Sequence, residues 1–143
     1  MNDPPRAVLD TNVLVSAMLS RRGASFALLN LIDSGMFAMC VSVPLVLEYE
    51  DALKRDAIKG RVTASAVDDV LDYLCGIAEK HPVHYLWRPH LNDPKDDMVL
   101  ELALAAECKY IVTHNLRDFR IQTRGALKVV TPGEFLKLLK EVP

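Results

Sequence analysis

A three-layer α/β/α, Rossmann-like domain on a central parallel sheet of about four to five strands is the fold this sequence predicts, and three observations predict it. Short apolar runs of strand length alternate with longer segments of helical periodicity along the whole chain. Turn and cap residues such as Gly35, Pro44, Thr131 and Pro132 punctuate the changes of pattern. The chain has 143 residues, half of them hydrophobic and a quarter charged, with no internal repeat and no linker, so residues 1–143 are expected to form a single domain.

"RAVLD" reads as a buried strand ending at Asp10, and Val13 to about Ser34 carries apolar residues at helical spacing, interrupted near "SRRG". "MFAMCVSV", bounded by Gly35 and Pro44, repeats the strand pattern, and Pro44 suits the first turn of the helix after it. That helix is predicted to reach Arg55, through Leu45, Val46, Leu47, Tyr49, Ala52 and Leu53. A further helix is expected from Ser65 to Lys80, with Val67, Val70, Leu71, Leu74, Ile77 and Ala78 on one stripe. "HPVHYLWRPHLNDPKDD" holds three prolines and reads as a loop with a short extended piece around His84 to Trp87. Asp96 to Cys108 is a helix with acids in its first turn, "KYIVTHN" a strand, and "LKVV" the last strand. "TPGEFLKLLKEV" closes the chain as a helix with Thr131 as cap, Pro132 at its first position and Glu134 three residues after the cap.

Composition narrows the function. Cys40, Cys75 and Cys108 are odd in number and form no Cys-x-x-Cys pair, which argues against a disulfide framework or a structural zinc site and for reduced thiols. The N-terminus lacks a signal-peptide pattern and no apolar run reaches membrane-spanning length, so a cytoplasmic protein without a membrane partner is expected. A net charge of −2 gives no global case for nucleic-acid binding. Basic residues cluster locally instead, at Arg21 and Arg22, Lys54 and Arg55, Lys59 and Arg61, and Arg117, Arg120, Arg124 and Lys128.

Parallel sheets align the C-terminal ends of their strands along one edge, where loops and helix starts share a crevice. Asp10 ends the first strand, Glu48 lies one turn into the helix after the second, Asp96 and Asp97 open the helix before "KYIVT", and Asn115 and Asp118 follow that strand. Caps, turns and solvated faces explain each acid singly, Asp10 as an N-cap among them, but those explanations predict scatter where the topology predicts convergence. Two carboxylates about 5 Å apart at an effective dielectric near 20 repel by about 3 kcal/mol, so a converging set needs a counter-ion. Oxygen donors with no His or Cys among them suit Mg²⁺ or Mn²⁺, which also accept water and phosphate oxygens. Such a centre activates water and stabilises charge on a phosphodiester, by one metal or by two.

"AVLDTNVLVSA", "SVPLVLEYEDAL" and "DPKDDMVLELALAAECKYIVTHNLRDF", in this order and at these spacings, resemble the PIN domain over nearly the whole chain. The last block resembles the branch of toxins of toxin–antitoxin pairs. The resemblance implies a metal-dependent endoribonuclease whose acids fall on Asp10, Glu48 and Asp96, with Asp97 as the adjacent candidate. Where many PIN domains carry a fourth aspartate, two residues after the threonine, this chain has Asn115, with Asp118 close by. Thr11, Asn12 and Thr113 would support the acids by hydrogen bonds. A homodimer, an RNA substrate and a cognate antitoxin whose tail covers the crevice are further implications, and Arg21, Arg22, Arg117 and Arg120 are the candidates for holding the RNA backbone.

Two other readings compete. Haloacid-dehalogenase phosphatases also place an aspartate after the first strand but need another two residues later, where this chain has Asn12. A PIN-like module with weak or no turnover, serving as a nucleic-acid-binding or interaction protein, draws its support from Asn115. His81, His84 and His90 show no zinc-helix spacing, His114 adjoins the site through Thr113, and Trp87 is expected to be buried rather than stacked on a base.

Overall fold

The chain's computed structural model describes residues 3–55, 58, 60–83, 94–119 and 127–141. The elements are β1 (Arg6–Leu9), α1 (Thr11–Leu19), α2 (Ala24–Leu29), β2 (Ala38–Val41), α3 (Val43–Leu53), α4 (Ala64–Ile77), β3 (Glu79–Lys80), α5 (Pro94–Ala105), β4 (Tyr110–Val112), a 3₁₀ turn (Leu116–Phe119), β5 (Lys128–Val130) and α6 (Pro132–Glu141). The five strands form one sheet in the order β3-β2-β1-β4-β5, with every pairing parallel. The chain leaves β1 toward β2 and returns past it to β4, so the β1–β4 boundary is the point where strand order reverses.

The strands are apolar because helices flank the sheet. Ala7, Val8 and Leu9 on β1, Cys40 and Val41 on β2, and Ile111 and Val112 on β4 are all buried. Helix α2 packs against both α1 and α6, while α3 packs against α4 and α5. Phe135 of α6 meets Phe37 edge-on at 5.1 Å between ring centroids and Tyr110 at 5.2 Å, tying the C-terminal helix to the sheet.

Helix starts follow local chemistry. The Ser42 hydroxyl accepts from Leu45 N, and Pro44 sits in the first turn of α3. Thr63 caps α4 by accepting from Ala66 N at 3.0 Å. Thr131 and Glu134 form the reciprocal capping box expected of their spacing, with bonds of 3.1 and 2.9 Å. Helix α5 ends in a Schellman motif: Cys108 N–H reaches Ala103 O, Glu107 N–H reaches Leu104 O, and Glu107 takes φ 53° where glycine is usual.

Several boundaries differ from expectation. The long segment after β1 splits into α1 and α2 at 20–23, and α5 begins at Pro94 rather than Asp96. Helix α4 stops at Ile77, and residues 79–80, expected to continue it, pair with Cys40 and Val41 as a new edge strand. Pairing with β2 outweighs the local helical stripe there. The extended piece expected around 84–87 lies outside the described residues.

Candidate functional site

Asp10 stands where strand order reverses, with its backbone N–H bonded to Val112 O of β4 at 2.9 Å. It is also the N-cap of α1, so capping and strand-end placement are one arrangement rather than rivals. Its carboxylate is buried and accepts Thr11 N on Oδ1 at 2.8 Å, and Thr113 Oγ1 at 2.7 Å and Asn12 Nδ2 at 3.2 Å on Oδ2. Three donors offset the hydration this charge loses. Thr113, fully buried, also accepts from Asn115 N at 3.0 Å, and Asn12 Oδ1 accepts from His114 N at 3.2 Å. The loop after β4 is thereby bolted to the start of α1.

In front of Asp10 opens a crevice of about 550 Å³. Glu48 of α3, Asp96 of α5, and Asn115 and Asp118 after β4 line it together with Asp10, so separate stretches of chain deliver oxygen donors to one space. Thr11 and Asn12 line it too, whereas Thr113 lies behind Asp10. Of the adjacent pair on α5, Asp96 faces the crevice and Asp97 is buried away from its lining. A rotation of about 100° per helical residue separates them.

Position in the fold is also held from behind. Tyr49, next to Glu48, is fully buried and donates its hydroxyl to Leu9 O, one residue before Asp10. Burial, then the Asp10 charge, hold its phenol well above the usual tyrosine value. It therefore stays a neutral donor linking α3 to the end of β1.

Two cations at the crevice were not singled out as site residues from sequence. Lys95 Nζ lies 3.4 Å from Glu48 Oε1, whose side chain is 12% exposed, and Arg55 lines the wall while pairing with Asp51. Arg55 lies two residues past the end of α3 and seven after Glu48, and the helical spacing expected through Arg55 was the available signal. Ser16 and Ser20 line the wall at one- and two-turn spacings from Asn12. Arg21, Arg22 and Arg117 are exposed and outside the crevice lining, and Arg120 lies outside the described residues. His114 lies outside that lining as well, its Nε2 3.0 Å from Ser25 Oγ of α2. The Trp87, His84 and His90 expectations also fall outside the described residues.

The donor set is carboxylate and amide oxygen, which fits a hard divalent cation such as Mg²⁺ or Mn²⁺. The Lys95 ammonium beside Glu48 is a stand-in for such a charge.

Residues 6–117 match the PIN domain family. No curated protein matches the chain in sequence. Among solved structures, VapBC2 from Rickettsia felis, crystallised bound to a DNA fragment from its promoter, is similar with a TM-score of 0.63 at 16% identity, over 87% of this chain and 98% of that one. PAE2754 from Pyrobaculum aerophilum is similar with a TM-score of 0.63 at 17% identity, over 95% of this chain and 90% of that one.

Proposed function

This chain belongs to the PIN domain family, a family of nucleases, and from that premise we propose that it is a divalent-metal-dependent endoribonuclease, the toxin of a toxin–antitoxin pair. The observation that carries this reading is the convergence of Asp10, Glu48, Asp96 and Asp118, with Asn115, on one crevice at the β1–β4 boundary. Those residues would hold Mg²⁺ or Mn²⁺, with Asp97 beside them in sequence but buried. When bound, the cation supplies an activated water and stabilises the charge that builds on phosphate and leaving oxygen.

The chain's own side chains do the rest. Thr11, Asn12 and Thr113 aim the Asp10 carboxylate. Lys95 and Arg55 offer positive charge at the wall for a phosphate, which an acidic centre alone would repel. Arg21, Arg22 and Arg117, which lie outside the crevice, would extend that contact along the RNA, with Arg120 a further candidate from the sequence. A homodimer, a cognate antitoxin covering the crevice and a cytoplasmic location complete the proposal. No helix among the described residues is long and apolar enough to cross a membrane.

The test is cleavage of a mixed pool of structured and single-stranded RNAs by the wild type and Asp10→Asn, with Mg²⁺, Mn²⁺ or EDTA. Cleavage that needs the metal and is lost in the variant supports the nuclease. A second reading, a PIN-like binding module, draws on the neutral Asn115 in the wall, and RNA binding without cleavage under any metal would favour it.

A further inference from the structure

We propose that Cys40, Glu79 and His81 form a second metal site, for a thiophilic divalent ion of the Zn²⁺ class, distinct from the acidic crevice. Glu79 and His81 stand two residues apart along edge strand β3 and its end, and Cys40 of β2 pairs directly with Glu79. Strand periodicity of two places all three side chains on one face of the sheet. Cys40 Sγ lies 3.9 Å and His81 Nε2 3.2 Å from Glu79 Oε1, and the three ligand atoms are all within 4.8 Å of one another. Tetrahedral bonds of about 2.0 to 2.3 Å set such atoms roughly 3.3 to 3.8 Å apart, so only small side-chain rotations are needed.

The surroundings suit the ion. Cys40 is fully buried, while the side chains of Glu79 and His81 are 40% and 25% exposed, which provides an entry path and leaves a fourth position for water. Arg6 Nε contacts Glu79 Oε1 at 2.8 Å and is half exposed, so it can remain on the carboxylate as an outer partner that orients it. Sulfur and imidazole select zinc-like ions, whereas the all-oxygen crevice selects Mg²⁺ or Mn²⁺. The two sites therefore separate by ligand chemistry.

Co²⁺ is the probe, because a cysteine ligand gives a near-ultraviolet thiolate-to-cobalt charge-transfer band that an oxygen-only site cannot give. Titration of the reduced full chain should yield about one equivalent of Co²⁺ with that band and the intense visible absorption of tetrahedral cobalt, both removed by Zn²⁺. Cys40→Ser should abolish the band, His81→Ala should weaken the Co²⁺ affinity read from the band at least about tenfold, and Asp10→Asn should leave the band and the affinity read from it unchanged. No band in the wild type at saturating Co²⁺, or a band that survives both Cys40→Ser and His81→Ala, overturns the proposal. If Cys40→Ser does not fold, His81→Ala decides, because its side chain is partly exposed and its loss leaves the core intact. None of these readouts depends on RNA cleavage.

Discussion

Replacing Thr113 by valine keeps the shape of a fully buried side chain and removes one hydroxyl. That hydroxyl donates to the buried Asp10 carboxylate at 2.7 Å, accepts from Asn115 N at 3.0 Å, and lies 3.4 Å from Asn12 Nδ2. A hydrogen bond to a buried charge contributes about 1.5 to 3 kcal/mol, whereas the exposed Asn115 N–H can turn to water. Thr113→Val should therefore destabilise the metal-free protein by about 2 to 3 kcal/mol. With a urea slope of about 2 kcal/mol per molar, the unfolding midpoint falls by roughly 1 to 1.5 M. Because the same hydroxyl aims Asp10, Mn²⁺ affinity measured by calorimetry should fall about 10- to 100-fold, and Thr113→Ser should restore both quantities. A variant that loses stability but binds Mn²⁺ like the wild type would refute the assignment of Thr113 to positioning the acid. One that changes neither would refute the hydrogen-bond argument itself.

Tyr49→Phe should cost about 1 kcal/mol at neutral pH through the lost bond to Leu9 O. Since the folded phenol titrates well above the unfolded value of 10.0, the wild type keeps full stability below that pH and loses up to about 1.4 kcal/mol per unit as pH rises past it; urea midpoints between pH 9 and 11 should show a flatter decline in the variant. Lys95→Met removes the ammonium that competes at Glu48, and one unit charge about 6 Å from a divalent ion in a water-like dielectric is worth about 1.4 kcal/mol, so Mn²⁺ should bind up to roughly tenfold tighter by calorimetry. Glu107→Gly relieves a left-handed residue at the end of α5 and should stabilise by about 0.5 to 1 kcal/mol in thermal unfolding.

Much of the site could be read before the fold was known, because a parallel sheet turns chain order into spatial order. "RAVLD" ends in the crevice, Glu48 follows β2 by one helical turn, and Asp118 follows β4, so knowledge of strand ends sufficed to bring them together. The choice between Asp96 and Asp97 was not legible, since α5 buries Val99, Leu100, Leu102 and Ala103 around much of its circumference and periodicity defines no single face. Lys95 was hidden for the same reason. Basic clusters were legible only as rim candidates: Arg21 and Arg22 adjoin in sequence, and the break between α1 and α2 leaves them on the surface, outside the crevice lining. The Cys40–Glu79–His81 group escaped notice because its strand exists only by pairing with β2, while the preceding stripe reads as unbroken helix. A search for zinc spacing along the chain does not find ligands that meet across a sheet.

The acids at the β1–β4 boundary are proposed to form one cation site. The most direct test of that site is calorimetric titration of Mn²⁺ into EDTA-stripped wild type and Asp10→Asn, each first confirmed folded by circular dichroism. Saturable Mn²⁺ binding is expected in the wild type and none in the variant. Equal affinity and stoichiometry in the two would contradict it.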